Sequence, residues 1–551
     1  MSVIDLGNIR FNWRGAYQAN TLYVPDDVVS YMGSSYVAKR NVTNIPPVVG
    51  LDWDLMAAGS TQLTTEGDLL IHDGNTPVRL PRGTNGQVIQ LINNRPAWRD
   101  QSMDPSRRVW KLAKVNGMGG YQTRVYLMTD GTIKACGYGG NGSNGDTLGA
   151  NLYVPVRVAT EDPSVRFVDV YSGGMQHYAL TANGEVWSWG YNNYGQLGHG
   201  DTANRPIAKR IDYFVTNNIQ IAKVIPARPN VYDYGTAFFL TTDGKVYAVG
   251  CNANGNLGNG TTTNAFTPVR CGSLTNITQV ILSALPYTAM AIESNGNLWV
   301  WGYNASGQLG LGDSTDRSTP ILHPSMTNVV KAVASGGYNS AGASPAGHAL
   351  VLRGDGTLWA AGYNAYGQLG LGDTTNRTSF SQISSTAFFT DVFSGDGRFP
   401  SAGALSNQAE IYTWGYNGYG QLGTGNLNNQ LTPIKPTGPF QGQVVRAIFG
   451  GSTSYEGCIL QAGGLLWAAG YNGLGNIGLG TNPSPSSFSK IGGLAGTIQD
   501  WNCYGTGMTY WGLGVLYNDG RVDTCGSNTQ GETGTRVFGN NDVQSLKNVI
   551  F

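Results

Sequence analysis

Few side chains in this 551-residue sequence are of the types that bind metals or act as nucleophiles. There are five histidines and six cysteines. The histidines (His72, His177, His199, His323 and His348) show no metal-ligand spacing with one another or with a cysteine, and no CxxC pair occurs. We therefore predict no metal site and no disulfide framework.

One stretch, GYGQLG at 418–423, matches the G-x-G-x-x-G pattern of dinucleotide-binding proteins. That pattern binds a pyrophosphate only when a strand precedes it, a helix follows it and an acidic residue lies about 20 positions further on. Here the string recurs along the chain without a following helix, and no segment of the sequence stands out by an acidic cluster suited to glycoside cleavage. We predict no cofactor and no enzyme activity.

The composition excludes several classes of protein. Lys and Arg number 34 and Asp and Glu number 34, only 12% of residues are charged, and 80 are glycine. Nucleic-acid binders need clustered basic residues, which this chain lacks. No run approaches the roughly 18 apolar residues of a membrane span, so no membrane insertion is expected. The N-terminus has no signal-peptide pattern, which predicts synthesis in a cytoplasm.

The secondary-structure elements that position the side chains of this protein are encoded by a sequence repeat. Its phrase starts with an aliphatic residue or Trp and two variable residues, and continues with Gly-Tyr-Asn, two variable residues and Gly-Gln-Leu-Gly, as in WSWGYNNYGQLG (187–198) and WVWGYNASGQLG (299–310). Successive copies begin 52 to 60 residues apart. We name the first glycine of each copy its anchor; the anchors, predicted to be structural, are Gly137, Gly190, Gly250, Gly302, Gly362, Gly415, Gly470 and Gly526.

Each copy also contains signals of short antiparallel strands. A two-residue turn precedes most anchors, for example Asn183-Gly184 and Asp243-Gly244, and such pairs accept the positive φ of tight hairpins. A further apolar run, such as FVDVYSG, opens each unit. Four strands per unit form one blade, and blades in a ring bury each other's faces. The sequence predicts an all-β protein, a β-propeller of four-stranded blades.

The repeat phrase followed by GDSTDRSTP (312–320) resembles the regulator of chromosome condensation repeat family over residues 107–551. Members of that family usually have seven blades. Eight anchors predict eight blades here, with seven as the alternative. The final segment 545–551 looks like the start of another unit, which predicts that it supplies the strand closing the ring.

The same resemblance implies structural roles for the residues that first suggested chemistry. It places His177 and His348 in blade packing. Cys136 and Cys525 precede their anchors where Trp stands in other copies, and we interpret them as small buried residues. Asp and Arg in the segments GDSTDR and GDTTNR are expected to pair and order a loop.

Residues 1–58 are predicted to be a separate small β module rich in aromatic residues. Over residues 11–58 the pattern resembles the small carbohydrate-binding modules of chitinases. That resemblance implies glycan stacking on Trp13, Tyr31, Tyr36 and Trp53. The alternative is that these rings form the core of a domain of about 45 residues, which serves in virion attachment or as a spacer.

Residues 59–106 are predicted to be an extended neck. The run GDLLIHDGNTPVRLPRGTNGQV within 64–99 resembles segments of bacteriophage tail fibres, which form intertwined trimers. An ordinary extended linker is the alternative.

These resemblances lead to a first hypothesis of function, a bacteriophage tail fibre or receptor-binding protein. Its N-terminal region would bind virion or baseplate proteins, its neck would form a homotrimer, and its propeller, residues 107–551, would contact a host glycan or surface protein. Loops made largely of Asn, Gly, Ser, Thr, Tyr and Gln (138–146, 426–433 and 471–478) suit such recognition. The location would be the virion tail.

The alternative hypothesis is a cellular interaction scaffold of the chromosome-condensation repeat type. It would act as an exchange factor for a Ras-like GTPase or as a protein-binding inhibitor. A third possibility is a purely structural head that spaces other virion parts.

Overall fold

The computed structural model divides the chain into two compact units, Met1–Asp104 and Pro105–Phe551. It describes residues 12–25, 27–31, 34–47, 53–57, 69–72, 77–80, 87–92, 95–100, 108–115, 123–227, 235–283, 287–338, 345–395, 399–451, 455–480, 484–494, 496–505, 511–535, 542–549 and 551.

The first unit contains a four-stranded sheet in the order β1-β2-β3-β4 and two separate hairpins, β5-β6 and β7-β8. The strands are β1 (Asn12–Ala16), β2 (Asp27–Tyr31), β3 (Ser34–Ala38), β4 (Trp53–Ala57), β5 (Leu69–His72), β6 (Pro77–Leu80), β7 (Gln87–Ile92) and β8 (Arg95–Asp100). Tyr23, Val29, Ala38 and Val42 form the small core of this sheet.

The second unit is a propeller of eight four-stranded blades, which confirms the predicted fold and blade number. Blades 1 to 4 consist of β9 (Val109–Leu112), β11 (Thr123–Met128), β12 (Ile133–Gly137), β13 (Leu152–Arg157); β14 (Phe167–Ser172), β15 (Gln176–Thr181), β16 (Val186–Gly190), β17 (Arg205–Arg210); β18 (Ile221–Pro226), β19 (Thr236–Thr241), β20 (Val246–Gly250), β21 (Ala265–Arg270); and β22 (Ile277–Leu282), β23 (Thr288–Glu293), β24 (Leu298–Gly302), β25 (Arg317–Leu322).

Blades 5 to 8 follow the same plan. They consist of β26 (Val329–Tyr338), β27 (Pro345–Arg353), β28 (Leu358–Gly362), β29 (Arg377–Gln382); β30 (Phe389–Ser394), β31 (Ser401–Ser406), β32 (Ile411–Gly415), β33 (Gln430–Ile434); β34 (Val444–Gly451), β35 (Glu456–Ala462), β36 (Leu465–Gly470), β37 (Ser489–Lys490); and β38 (Ile498–Gly505), β39 (Trp511–Tyr517), β40 (Val522–Gly526), β41 (Val543–Asn548). A short strand β10 (Lys114–Val115) pairs with β14, and the α-helix found in the described residues is α1 (Asp212–Thr216).

The first strands of successive blades lie next to one another and surround the axis, and the fourth strands are outermost. The ring closes where blade 8 packs on blade 1, through a buried cluster that includes Val109, Tyr126, Leu516 and Val522. The prediction that 545–551 starts a further unit is wrong. This segment belongs largely to β41, which pairs with β40 as the outermost strand of blade 8, while β9 already completes blade 1.

All eight anchors have positive φ, between 88° and 110°. There is also no room for a side chain at this position, because a Cβ atom added to Gly190 would lie 2.1 Å from the carbonyl oxygen of Met175. The anchor must therefore be glycine for both backbone conformation and close approach of the preceding loop.

The residue before each anchor fills the seam with the preceding blade. The indole N–H of Trp301 donates to the carbonyl of Asn256 (2.8 Å), and that of Trp414 donates to the carbonyl of Gln368 (2.9 Å). Cys136 occupies this position at the closing seam, where its Sγ lies 3.9 Å from the carbonyl oxygen of Glu532. The closing seam is therefore built like the internal ones.

Side chains at the seams compensate one another in size. In blade 6 the large Trp414 packs over Gly370, the last glycine of the repeat phrase in blade 5. In blade 7 the residue before the anchor is only Ala469, and Phe488 covers the equivalent Gly423 instead. The space over the glycine is thus filled at this seam although Trp stands before the anchor only in blades 2, 4 and 6.

A belt of charged residues surrounds the axis. Each innermost strand has a β-bulge at its second residue, and the third residue faces its neighbours around the ring. We call these third residues the charge belt: Lys111, Asp169, Lys223, Gln279, Lys331, Asp391, Arg446 and Asp500. Ion pairs join Lys111 to Asp169 (2.6 Å), Lys331 to Asp391, and Arg446 to Asp500 (2.6 Å).

Candidate functional site

The propeller has two faces with different loops. The tight turns between second and third strands lie on one, the hairpin-turn face. The loops that start at the anchors lie on the other, together with the links between first and second strands, and we call it the anchor-loop face. Of the three polar segments noted in the sequence, 138–146 and 471–478 lie on the anchor-loop face, and 426–433 starts there and continues into β33.

In blades 2 to 8 an asparagine two positions after the anchor holds the anchor loop in a fixed conformation. In blade 6 the side-chain amide of Asn417 donates to the carbonyls of Asn426 (2.9 Å) and Asn428 (3.1 Å), and its Oδ1 accepts from the N–H of Leu422 (2.9 Å). Blades 2, 4 and 5 repeat these contacts through Asn192, Asn304 and Asn364 with little variation. The loops are therefore rigid, and their buried amides are occupied in folding them.

Ion pairs order the same loops. Arg317 pairs with Asp313 and Arg377 with Asp373, both at 2.6 Å, which confirms the predicted pairing in these segments. The hydrogen bond from the Arg377 guanidinium lowers the pKa of the Asp373 carboxyl. These charges support the loop, since each is already neutralised by its partner.

A continuous series of aromatic rings crosses the anchor-loop face over blades 5, 6 and 7. Neighbouring ring centroids are 4.4 to 6.4 Å apart, and all rings are partly exposed. We call this series the aromatic arc; its members are Tyr363, Tyr366, Phe399, Tyr416, Tyr419, Tyr455 and Tyr471.

Within the arc, two groups of three rings form at successive blade seams. Tyr366, Phe399 and Tyr416 contact one another at 4.8 to 5.4 Å between blades 5 and 6. We call them the first trio. The second trio, at 4.4 to 5.6 Å between blades 6 and 7, is Tyr419, Tyr455 and Tyr471.

The surroundings of the arc affect its phenol groups. Partial burial, the neighbouring tyrosines and Glu456 together raise the pKa of Tyr416, and burial and Tyr455 raise that of Tyr419. Glu456 itself is 3% exposed and accepts a hydrogen bond from the Ser401 hydroxyl (2.8 Å). The phenols therefore stay protonated at neutral pH and can donate hydrogen bonds.

Four of the residues first considered for chemistry lie in the core. His177 and His348 are buried, as predicted, and burial lowers their pKa to about 3 and about 4. Burial also raises the pKa of the Cys136 and Cys525 thiols to about 12, so neither is a thiolate at neutral pH.

A serine and a histidine are hydrogen-bonded in blade 2, where Ser188 Oγ lies 2.9 Å from His199 Nε2. The same hydroxyl donates to the carbonyl of Leu197 (2.8 Å), and Thr413 makes the equivalent contact to Leu422 in blade 6. The serine position is thus a structural part of the blade. No group of three potential metal ligands occurs among the described residues, and none of their helices could cross a membrane.

The four aromatic residues predicted to stack on glycans lie on different strands of the first unit: Trp13 on β1, Tyr31 on β2, Tyr36 on β3 and Trp53 on β4. The Tyr36 ring packs against the core of that sheet. The side chains of the other three lie outside the described residues. Glycan stacking here stays a prediction.

The aromatic arc was not identified from the sequence. Its tyrosines at the first and fourth positions after an anchor are visible in GYNAYG and GYNGYG. Phe399 and Tyr455 come from links between first and second strands, which follow no repeated pattern. Packing of neighbouring blades brings these separate segments together.

Known proteins share the repeat. The family description "Regulator of chromosome condensation (RCC1) repeat" matches residues 183–224, 243–284, 295–342, 355–397 and 408–455, and a second form of it matches 167–196. The ultraviolet-B receptor UVR8 of Arabidopsis thaliana is 30% identical over 319 residues, covering 58% of this chain and 68% of UVR8.

Two further relatives extend this result. RUG3, a mitochondrial RCC1 domain-containing protein of Arabidopsis thaliana, is 29% identical over 321 residues, covering 56% of this chain and 67% of RUG3. The human E3 ubiquitin-protein ligase HERC2 is 29% identical over 352 residues, covering 64% of this chain but 7% of HERC2. Because a receptor and a ligase share the repeats, the repeats assign no catalytic activity by themselves.

The tail-fibre hypothesis is wrong, because these relatives are proteins of plant and human cells. The location in a virion, the virion or baseplate partners, the host receptor and the homotrimer are withdrawn with it. Within the chain, β5 pairs with β6 and β7 with β8, so one edge of each of these strands is already hydrogen-bonded to its own hairpin partner.

The identity and coverage of the UVR8 match, together with the matched repeats and the eight blades, show that the chain belongs to the regulator of chromosome condensation (RCC1) repeat family.

Proposed function

We propose that this chain is a cellular interaction scaffold that binds a protein partner through the aromatic arc. The observation that carries the proposal is the unbroken contact of partly exposed rings from Tyr363 to Tyr471. In this proposal residues 107–551 are the binding head, residues 1–58 a separate module and residues 59–106 the connection between them.

The composition of the arc supports protein binding. Interface cores are enriched in tyrosine and other aromatics and poor in charged residues, and tyrosine is frequent among the residues that dominate affinity. Tyr366, Tyr416 and Tyr419 combine a flat apolar ring with a hydroxyl, so each can bury area and donate a hydrogen bond.

Rigidity of the loops supports it as well. Binding costs conformational entropy when loops must be ordered, and a preformed surface avoids that cost. Asn364 and Asn417 fix the loops that carry Tyr366 and Tyr419. The arc is thus presented on preorganised backbone rather than on loops that must fold on binding.

Site-specific photocrosslinking tests the proposal. A photoreactive phenylalanine analogue replaces Tyr419 in the full chain and, as the matched control, Phe388, which is 45% exposed and lies near the hairpin-turn face. We expect a discrete protein adduct from position 419 and none of the same mass from position 388. Equal adducts from both positions, or none from 419 in the cells that make the protein, would contradict the proposal.

A nucleotide-release assay with the native chain and a Tyr419→Ala variant distinguishes an exchange factor from an inhibitor or adaptor. Faster release of a fluorescent GDP analogue from a Ras-like GTPase found in the adduct, lost in Tyr419→Ala, would identify an exchange factor. Binding without faster release would identify an inhibitor or adaptor.

A further inference from the structure

We infer that the partner segment held by the arc is an uncharged, proline-rich strand in the polyproline II conformation. This inference rests on the proposed function and names the chemistry of the partner.

The two trios provide successive sites of the same kind. Each is built from the tyrosine four positions after one anchor, an aromatic residue from the next blade's first loop, and the tyrosine directly after the next anchor. Tyr416 of the first trio lies 6.3 Å from Tyr419 of the second, so the two groups form one surface. An extended ligand that repeats every three residues suits such a series of aromatic surfaces.

The surface around the arc carries little charge, and it therefore favours an uncharged ligand. The loops 416–429 and 471–488 contain no Asp, Glu, Lys or Arg. Glu456, the carboxylate beside Tyr416, is 3% exposed and bonded to Ser401, so it is not presented to a partner. Asp396 and Arg398, which precede Phe399 in the sequence, cancel in formal charge. Nothing here matches a strongly basic or acidic segment.

The hydrogen-bonding groups of the arc complement polyproline II. Proline lacks an N–H, and a polyproline II strand leaves its carbonyl groups without internal partners. Such a strand therefore needs donors from the surface that binds it. The hydroxyls of Tyr366, Tyr416 and Tyr419 make no hydrogen bond within the described residues, and partial burial raises the pKa of Tyr416 and Tyr419. These phenols are protonated donors beside apolar rings.

A random 12-residue peptide library displayed on phage tests the inference with the full chain. After selection, peptides are retained only if they bind the native chain and not the Tyr419→Ala/Tyr471→Ala variant. We expect proline to be enriched several-fold over the starting library, in spacings of about three residues. Retained peptides without excess proline, or dominated by Arg and Lys, would overturn the inference.

Affinities of a selected peptide provide the controls. Tyr419→Ala should weaken binding about tenfold, as expected for a central aromatic contact, and Tyr419→Phe should weaken it several-fold because only the hydroxyl is lost. Phe388→Ala on the other side of the blade should leave it unchanged, and unaltered thermal midpoints show that the variants fold. If Tyr419→Phe binds as well as the native chain, the donor role is wrong. Crosslinking from position 419 with no proline preference would reject this inference and leave the proposed function standing.

Discussion

His177 shows how a polar residue in a seam makes stability depend on pH. Its ring lies 5.3 Å from that of Trp189, and neither ring nitrogen has a hydrogen-bond partner in the described structure. Burial without a charged neighbour lowers the pKa to about 3. The unfolded chain, with an ordinary pKa near 6.5, takes up the proton first as the pH falls.

Above pH 6.5 His177 is neutral in both the folded and the unfolded chain, and the folded state has its full stability. As the pH falls from 6.5 towards the folded pKa of about 3, only the unfolded chain gains the proton, so the folded state loses stability. Below pH 6.5 we expect a loss of about 1.4 kcal/mol per pH unit for each such histidine. His177→Leu should flatten the decline of the thermal midpoint between pH 6.5 and 4. It should also raise stability at pH 7 by about 1 kcal/mol, because an unpartnered buried polar group is removed. The control His348→Leu should flatten the decline but lose the bond between His348 Nε2 and Ser394 Oγ (2.9 Å). An unchanged pH profile for His177→Leu would contradict this account.

At the scale of the elements, the glycine anchors and the two-residue turns were sufficient to predict the strands and the number of blades. They act locally, through positive φ and close backbone approach. The role of the last strand could not be predicted in this way. Residues 543–548 have an apolar pattern like that of a first strand, and only their pairing with β40 makes them outermost. The arc likewise depends on Phe399 and Tyr455, which the packing of neighbouring blades places beside repeat tyrosines.

Packing at the seam of blades 6 and 7 provides a test at this scale. Phe488→Ala should destabilise the propeller by about 3 to 5 kcal/mol, because a buried ring over Gly423 is lost. Ala469→Trp alone should also destabilise, because Phe488 already fills the space.

The double variant should be more stable than the sum of the two losses predicts, by about 1 to 3 kcal/mol, since the new indole replaces the lost ring as Trp414 does in blade 6. Chemical denaturation of the four chains measures this coupling. Additive losses would show that the two positions do not share one space.

The charge belt acts at the scale of the whole molecule. Its side chains are partly exposed, so each ion pair contributes little alone. Around the ring, however, cations occupy blades 1, 3, 5 and 7, and aspartates occupy blades 2, 6 and 8. Every pairing in the belt therefore joins neighbouring blades, and the belt links blades that share no strand.

Charge reversal at one blade tests the belt. Asp391→Lys places a third cation between Lys331 and Arg446, and we expect a loss of about 1 kcal/mol that shrinks at high salt. Adding Lys331→Asp restores one opposite-charge contact and should recover part of the loss. Thermal midpoints at low and high salt measure both effects. A loss that is independent of salt would point to packing instead of charge.

The alternation of sign has a consequence for how such a ring can change its size. Removing any one blade other than the two that flank Gln279 would set two like charges side by side, whereas removing an adjacent pair of blades would not. Away from Gln279, growth and shrinkage of this ring should therefore be tolerated best two blades at a time, because a ring with an odd number of blades needs one neutral belt position, which Gln279 provides in blade 4.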